Sequence, residues 1–198
     1  AKGLHEVRSR AWVWASMISF SLTNLCFAAF LVLGPVVARD ELGGAREWGW
    51  IAAGGAVGAV AGGALALRLR PRRPLSAGFS AWMLCALPLI ALAPPLPALA
   101  IAGGYAIGLA GISFGQALWQ TTLQERIPAE VLSRVSSYDW LVSFVFMPLG
   151  FVAFPLIANE LGTEQTLLAA AAVCAVTALT VAPPHDAIAT NASRQMED

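Results

Sequence analysis

Asp139 stands in the run Ser136-Ser137-Tyr138-Asp139-Trp140, at the head of a long apolar stretch, and no other acidic residue falls inside such a stretch. A carboxyl placed there has two readings. It lies at a membrane interface, paired with Arg134 or a loop arginine, or it is a protonatable group coupled to the movement of a solute. Gln116 and Gln120 sit one helical turn apart on one face, with Trp119 between them. In an apolar helix such a pair prefers an aqueous or protein-lined side. Asn24 falls in a second polar stripe with Ser16, Ser19, Ser21 and Thr23. Its amide needs a partner on another helix, as structural glue, or water in a cavity that it helps to line. Asn24, Gln116, Trp119 and Gln120 are therefore cavity-lining candidates, and Asp139 is the candidate for proton coupling.

Other reactive residue types carry little. Cys26, Cys85 and Cys174 lie in three different apolar runs, with no metal-ligand or redox-pair spacing, and read as small buried hydrophobes. His5 and Glu6 belong to a solvated polar segment. No nucleophile–base pair and no metal cluster supports an enzyme, and no cofactor or metal is expected. The absence of G-x-x-x-x-G-K-[ST] weighs against an ATP-driven exporter.

The elements that must position these residues are membrane helices. Hydrophobic residues make up 58% of the 198 and charged residues only 12%, where a soluble domain carries about 25% charged. Most of the surface must meet something other than water, and the first partner implied is a lipid bilayer. The formal net charge of zero suggests no nucleic-acid partner. At roughly 20 residues per span the length allows about six helices. They are expected over 12–38, 48–67, 75–93, 98–123, 135–158 and 166–182. This six-helix domain, 12–182, is preceded by a basic interfacial segment, 1–11, and followed by a polar, disordered tail, 183–198. The start at Ala1 reads as a cut or trimmed end.

Local features refine the spans. Gly34-Pro35 is expected to bend or end the first helix, and Pro88 to kink the third. Trp48 and Trp50 suit anchors at headgroup level. Gly54, Gly58 and Gly62 recur every four residues, a doubled G-x-x-x-G that lets another helix approach closely. Gly104, Gly108, Gly111 and Gly115 offer a second such surface. Pro128 reads as the opening of a short helix, and Pro148 and Pro155 interrupt the fifth span.

Orientation follows from Gly62-Gly63-Ala64-Leu65-Ala66-Leu67-Arg68-Leu69-Arg70-Pro71-Arg72-Arg73-Pro74-Leu75, in which four arginines crowd a short turn. That turn cannot lie in hydrocarbon and is assigned to the cytoplasm. With six spans, ten of the twelve Lys and Arg residues then fall on the inner side, leaving only Arg39 and Arg46 outside. Both termini are expected in the cytoplasm, and the protein in the cell membrane.

The same turn resembles the signature loop of the major facilitator superfamily, G-x-L-a-D-r-x-G-R-r-x-x-l, which joins the second and third helices of each six-helix half. Gly63, Leu65, Arg68, Arg72 and Leu75 match, and Arg73 extends the basic cluster. The acidic position is Leu67 and the Gly-Arg pair is Arg70-Pro71, so the carboxylate of a charge relay is missing. Further stretches are similar to the branch that holds enterobactin exporters and macrolide-efflux-type proteins. The strongest are Leu123-Gln124-x-x-Ile127-Pro128-x-Glu130-x-x-x-Arg134-Val135 and Pro148-Leu149-Gly150.

The resemblance implies an all-α membrane fold, the C-terminal six-helix half of a twelve-helix transporter. Residues 1–11 would then be its central cytoplasmic loop. It also implies alternating access about a midplane site shared with an N-terminal half, in the same chain or a second subunit. The function expected is proton-coupled efflux of a small lipophilic molecule, drug or siderophore. The rival expectation, motivated by Leu67 and the missing half, is a non-transporting scaffold or orphan half acting through assembly.

Overall fold

The computed structural model describes residues 11–69 and 71–181, with side chains for 14–69 and 71–177. The expected interfacial segment and polar tail, and Arg70 of the basic turn, lie outside the described residues. Every element among those described is helical. α1 is Ala11–Val37 and closes in a wide π-type turn, Ala38–Leu42. α2 is Ala45–Arg68, and α3, Pro74–Trp82, passes through a 3₁₀ turn, Met83–Cys85, into α4, Ala86–Leu92. α5 is Ala98–Arg126, α6 is Ala129–Val145, α7 is Met147–Leu161 and α8 is Thr163–Val181.

Five stretches are long and apolar enough to cross a bilayer: Trp14–Leu42, Ala45–Arg68, Pro74–Leu92, Ala98–Arg126 and Ala129–Leu161. A sixth apolar helix, Thr163–Thr177, is shorter. The six expected segments are thus present in order, the last falling short of a full span over the described residues. Connections are tighter than expected. Gly43 (φ 106°) and Gly44 (φ 104°) join α1's turn to α2, and Gly162 (φ 91°) alone separates α7 from α8. Glycine takes this left-handed backbone without the clash a side chain would meet.

Prolines act one turn upstream of where they stand. Pro88 lies inside α4 while the helix tightens at Met83–Cys85. A proline ring presses on the carbonyl four residues earlier, here Leu84, and its missing N–H leaves that carbonyl free. Pro148 interrupts the fifth span in the same way: α6 stops at Val145, and the Phe146 N–H turns to the Phe144 carbonyl. Pro155 is carried inside α7. Three expectations need correction. α1 runs through Gly34-Pro35 to Val37, and Gly34 instead seats Trp48, whose ring fills the place of a Cβ there. Trp48 is therefore half-buried against Phe30 rather than a surface anchor, whereas Trp50 is exposed. Pro128 precedes α6 as its cap residue, and the helix it opens is the fifth span itself.

Lipid tails are as apolar as leucine, so close contact rather than water exclusion holds such helices together. α2 and α5 form the most extensive pair. Their seam sets Gly54, Gly58 and Gly62 against Ala102, Ala106 and Ala110, and a Cβ on Gly58 or Gly62 would overlap the facing backbone. The opposite side of α5 uses Gly108, Gly111 and Gly115 to receive Pro88, Ala81 and Trp82 of α3 and α4. Gly63, one residue past the stripe, has no atom near its Cβ position. α1 is the central post, packed by α6, α7 and α8. Two apolar clusters result. One gathers Phe27, Phe30, Ile51, Leu89, Ile101 and Leu167. The other gathers Met17, Phe20, Phe79, Trp82, Trp119 and Val135.

Candidate functional site

α1's polar stripe is buried and turned inward. Ser19 donates to the Thr177 carbonyl of α8 at 3.4 Å. Ser21 Oγ donates to the Val142 carbonyl, and Asn24 Nδ2 to the Ser143 carbonyl at 3.0 Å. These two acceptors lie just before the break that Pro148 imposes, where regular helix bonding ends. Side chains of α1 thus bond carbonyls at the end of α6, and α1 is fixed against it.

Beside this joint lies a cavity of about 480 Å³ between α1, α3, α5 and α6. α1 contributes Thr23, Asn24, Phe20 and Phe27, and α3 contributes Trp82. α5 presents Ser113, Gln116, Ala117 and Gln120, a single i, i+3, i+4, i+7 face. α6 presents Asp139, Trp140, Ser143 and Phe144. The Trp140 and Phe144 rings stack with centroids 5.3 Å apart and 9° from parallel. The size falls within the range of sites for drug-sized molecules.

Asp139 is only 2% exposed. Its Oδ2 accepts from Trp119 Nε1 at 3.0 Å and from Gln120 Nε2 at 3.4 Å. Its Oδ1 has no hydrogen-bond partner among the described residues. The first of the two readings, an ion pair with Arg134 or a loop arginine, is not found among the described residues: Arg134 is exposed, and no charged group among them bears on the carboxyl. Neutral groups hold this acid instead: two N–H donors, with the Ser143 side chain also beside the carboxyl. Among the described residues the wall carries no Lys, Arg or His.

The structure thus brings Asn24, Gln116, Gln120 and Asp139 to one cavity. Trp119 is not on its wall. The residue lies off the Gln116–Gln120 face of α5, packs edge-on against Phe20, and reaches Asp139 from behind. The signature-loop residues lie elsewhere: Arg68 ends α2, and Arg72 and Arg73 are exposed beside the start of α3. Cys26, Cys85 and Cys174 are free, buried and gathered in the first apolar cluster, although three separate helical segments carry them. Among the described residues no group of His, Cys, Asp or Glu is arranged to hold a metal ion.

Sequence reasoning missed the aromatic part of the wall: Phe20, Phe27, Trp82, Trp140 and Phe144. Ser113 and Ser143 carry a readable signal, standing three and four residues from Gln116 and Asp139 on the same helical faces. Phe20 and Trp82 carry none, since any apolar helix offers aromatics to lipid and to core alike.

Comparison with known proteins places these features in a family. No curated protein and no solved structure matches the chain. The family model described as Major Facilitator Superfamily matches residues 1–150. That match covers well over half of the chain, which belongs to the major facilitator superfamily of membrane transporters.

Proposed function

We propose that this chain is the C-terminal half of a secondary active transporter. It exports a small lipophilic molecule in exchange for protons, by rocking against an N-terminal half of the same chain or of a second subunit. The observation that carries the reading is the buried acid Asp139 in a drug-sized, partly aromatic cavity between α1, α3, α5 and α6. A carboxyl that meets only neutral donors gains or loses a proton without breaking an ion pair. Proton uptake there can therefore be linked to solute occupancy of the same space. Gln116, Gln120 and Asn24 supply the few polar contacts that orient a solute on such a wall.

The basic turn at Arg68, Arg72 and Arg73 supports a cytoplasmic position for the α2–α3 connection, both termini on that side, and residence in the cell membrane. Leu67 holds the acidic place of the signature loop and is exposed. Gating in this half then rests on packing rather than on a charge relay through that loop.

Cysteine substitution tests the cavity role. A thiol placed at Gln116 or Gln120 should react with a small maleimide, and a transported lipophilic dye should slow that reaction. A thiol at Gly63, remote from the cavity, should react at the same rate with or without the dye. Equal rates at Gln116 and Gln120 in both conditions would remove those residues from the solute's path.

A further inference from the structure

Resting on the transporter reading above, we infer that the solute taken by this cavity is a planar aromatic monocation. The carboxyl is the first argument. Trp119 and Gln120 both donate to Oδ2, the neutral Ser143 side chain stands beside the carboxyl, and Oδ1 has no hydrogen-bond partner among the described residues. Neutral donors do not cancel a carboxylate's charge, and a charge buried without a counter-ion is unfavourable. Among the described residues no basic side chain on the wall supplies the missing charge. A cationic solute supplies it, and its N–H, where present, supplies a charge-assisted bond to Oδ1.

The rest of the wall selects the same chemistry. Five aromatic rings line the cavity, from Phe20, Phe27, Trp82, Trp140 and Phe144. Aromatic faces attract cations, most strongly where water is excluded. The Trp140 and Phe144 rings stack on each other and are exposed, so α6 offers an aromatic face on the same cavity wall as the carboxyl. An anion would meet Asp139 and no compensating group among the described residues, so an anionic siderophore is disfavoured at this site. A neutral lipophile would find the aromatic wall but would leave the ionised acid uncompensated.

Equilibrium binding to the full chain in lipid nanodiscs tests this with ethidium, its uncharged dihydro form, and the anion fluorescein. Ethidium should bind about tenfold or more tightly than the dihydro form, from the ion pair and the cation–π contacts together. Fluorescein should bind weakest. Asp139→Asn should erase the preference by weakening ethidium alone, and Asp139→Glu should keep it. The wild-type preference is decisive even if either variant fails to fold. Equal binding of ethidium and the dihydro form would overturn the charge selection while leaving a carrier of lipophilic solutes in place. Preference for fluorescein would overturn it as well. Binding of no probe would overturn both the cation inference and the lipophile-carrier reading.

Discussion

Trp119 and Asp139 form the contact on which the site depends, and each explains the other's burial. An indole in an apolar cluster must place its N–H, and a carboxyl must receive donors; the bond between them serves both. Trp119→Phe keeps the ring and deletes the donor. It is expected to lower stability by about 1–3 kcal/mol, the range for leaving a buried polar group unsatisfied. Thermal unfolding in detergent reads this, and an unchanged melting temperature would mean that the indole N–H contributes nothing. Much of this site was legible beforehand, because polar residues in membrane helices are few and each demands a partner. Asn24, Gln116, Gln120 and Asp139 stood out for that reason. Trp119's position behind the wall was not legible, because one residue's offset on a helix decides it and only neighbouring helices reveal which way the wall faces.

At the scale of elements, small residues govern the α2–α5 seam, and here the period of four named the contact face directly. Gly58→Val should overpack the seam against Ala106 and destabilise by about 1–3 kcal/mol. Gly63→Ala, which meets nothing, should be neutral or slightly stabilising. Similar melting temperatures for the two variants would show that the glycine stripe does not set the packing. The α1–α6 joint depends on side-chain bonds to carbonyls at the Pro148 break. Removing both donors, with Ser21→Ala and Asn24→Ala together, should lose about 1 kcal/mol, typical of two interhelical bonds in a membrane. Retained stability would assign Asn24 to the cavity alone. Prolines were visible in the sequence, but their consequences were not placed correctly. Pro35 is carried within α1, whereas Pro88 and Pro148 disturb the backbone one turn before themselves. Which outcome occurs depends on whether the carbonyl four residues earlier has another place to go, and that is tertiary information.

Across the whole molecule, charge placement and span order are the robust signals, because burying arginine in hydrocarbon is prohibitive whatever the packing. The order of helices followed from the apolar runs between charged turns, while the convergence of Cys26, Cys85 and Cys174 on one core could not, since it requires three segments to be folded together. Sidedness is testable directly. The three native cysteines are buried, so a single thiol introduced at an exposed site dominates labelling by an impermeant maleimide. A thiol at Arg72 should label only from the cytoplasmic side, and one at Glu160 only from outside. Labelling of Arg72→Cys from outside would invert the topology.

The most direct measurement is dye efflux from cells producing the full protein, with and without a protonophore, for the native chain and for Asp139→Asn at matched membrane levels. A transport site at Asp139 predicts efflux that the protonophore abolishes, and a variant that has lost this proton-driven efflux. Efflux by Asp139→Asn at the native rate, with the same response to the protonophore, would contradict a coupling role for this carboxyl.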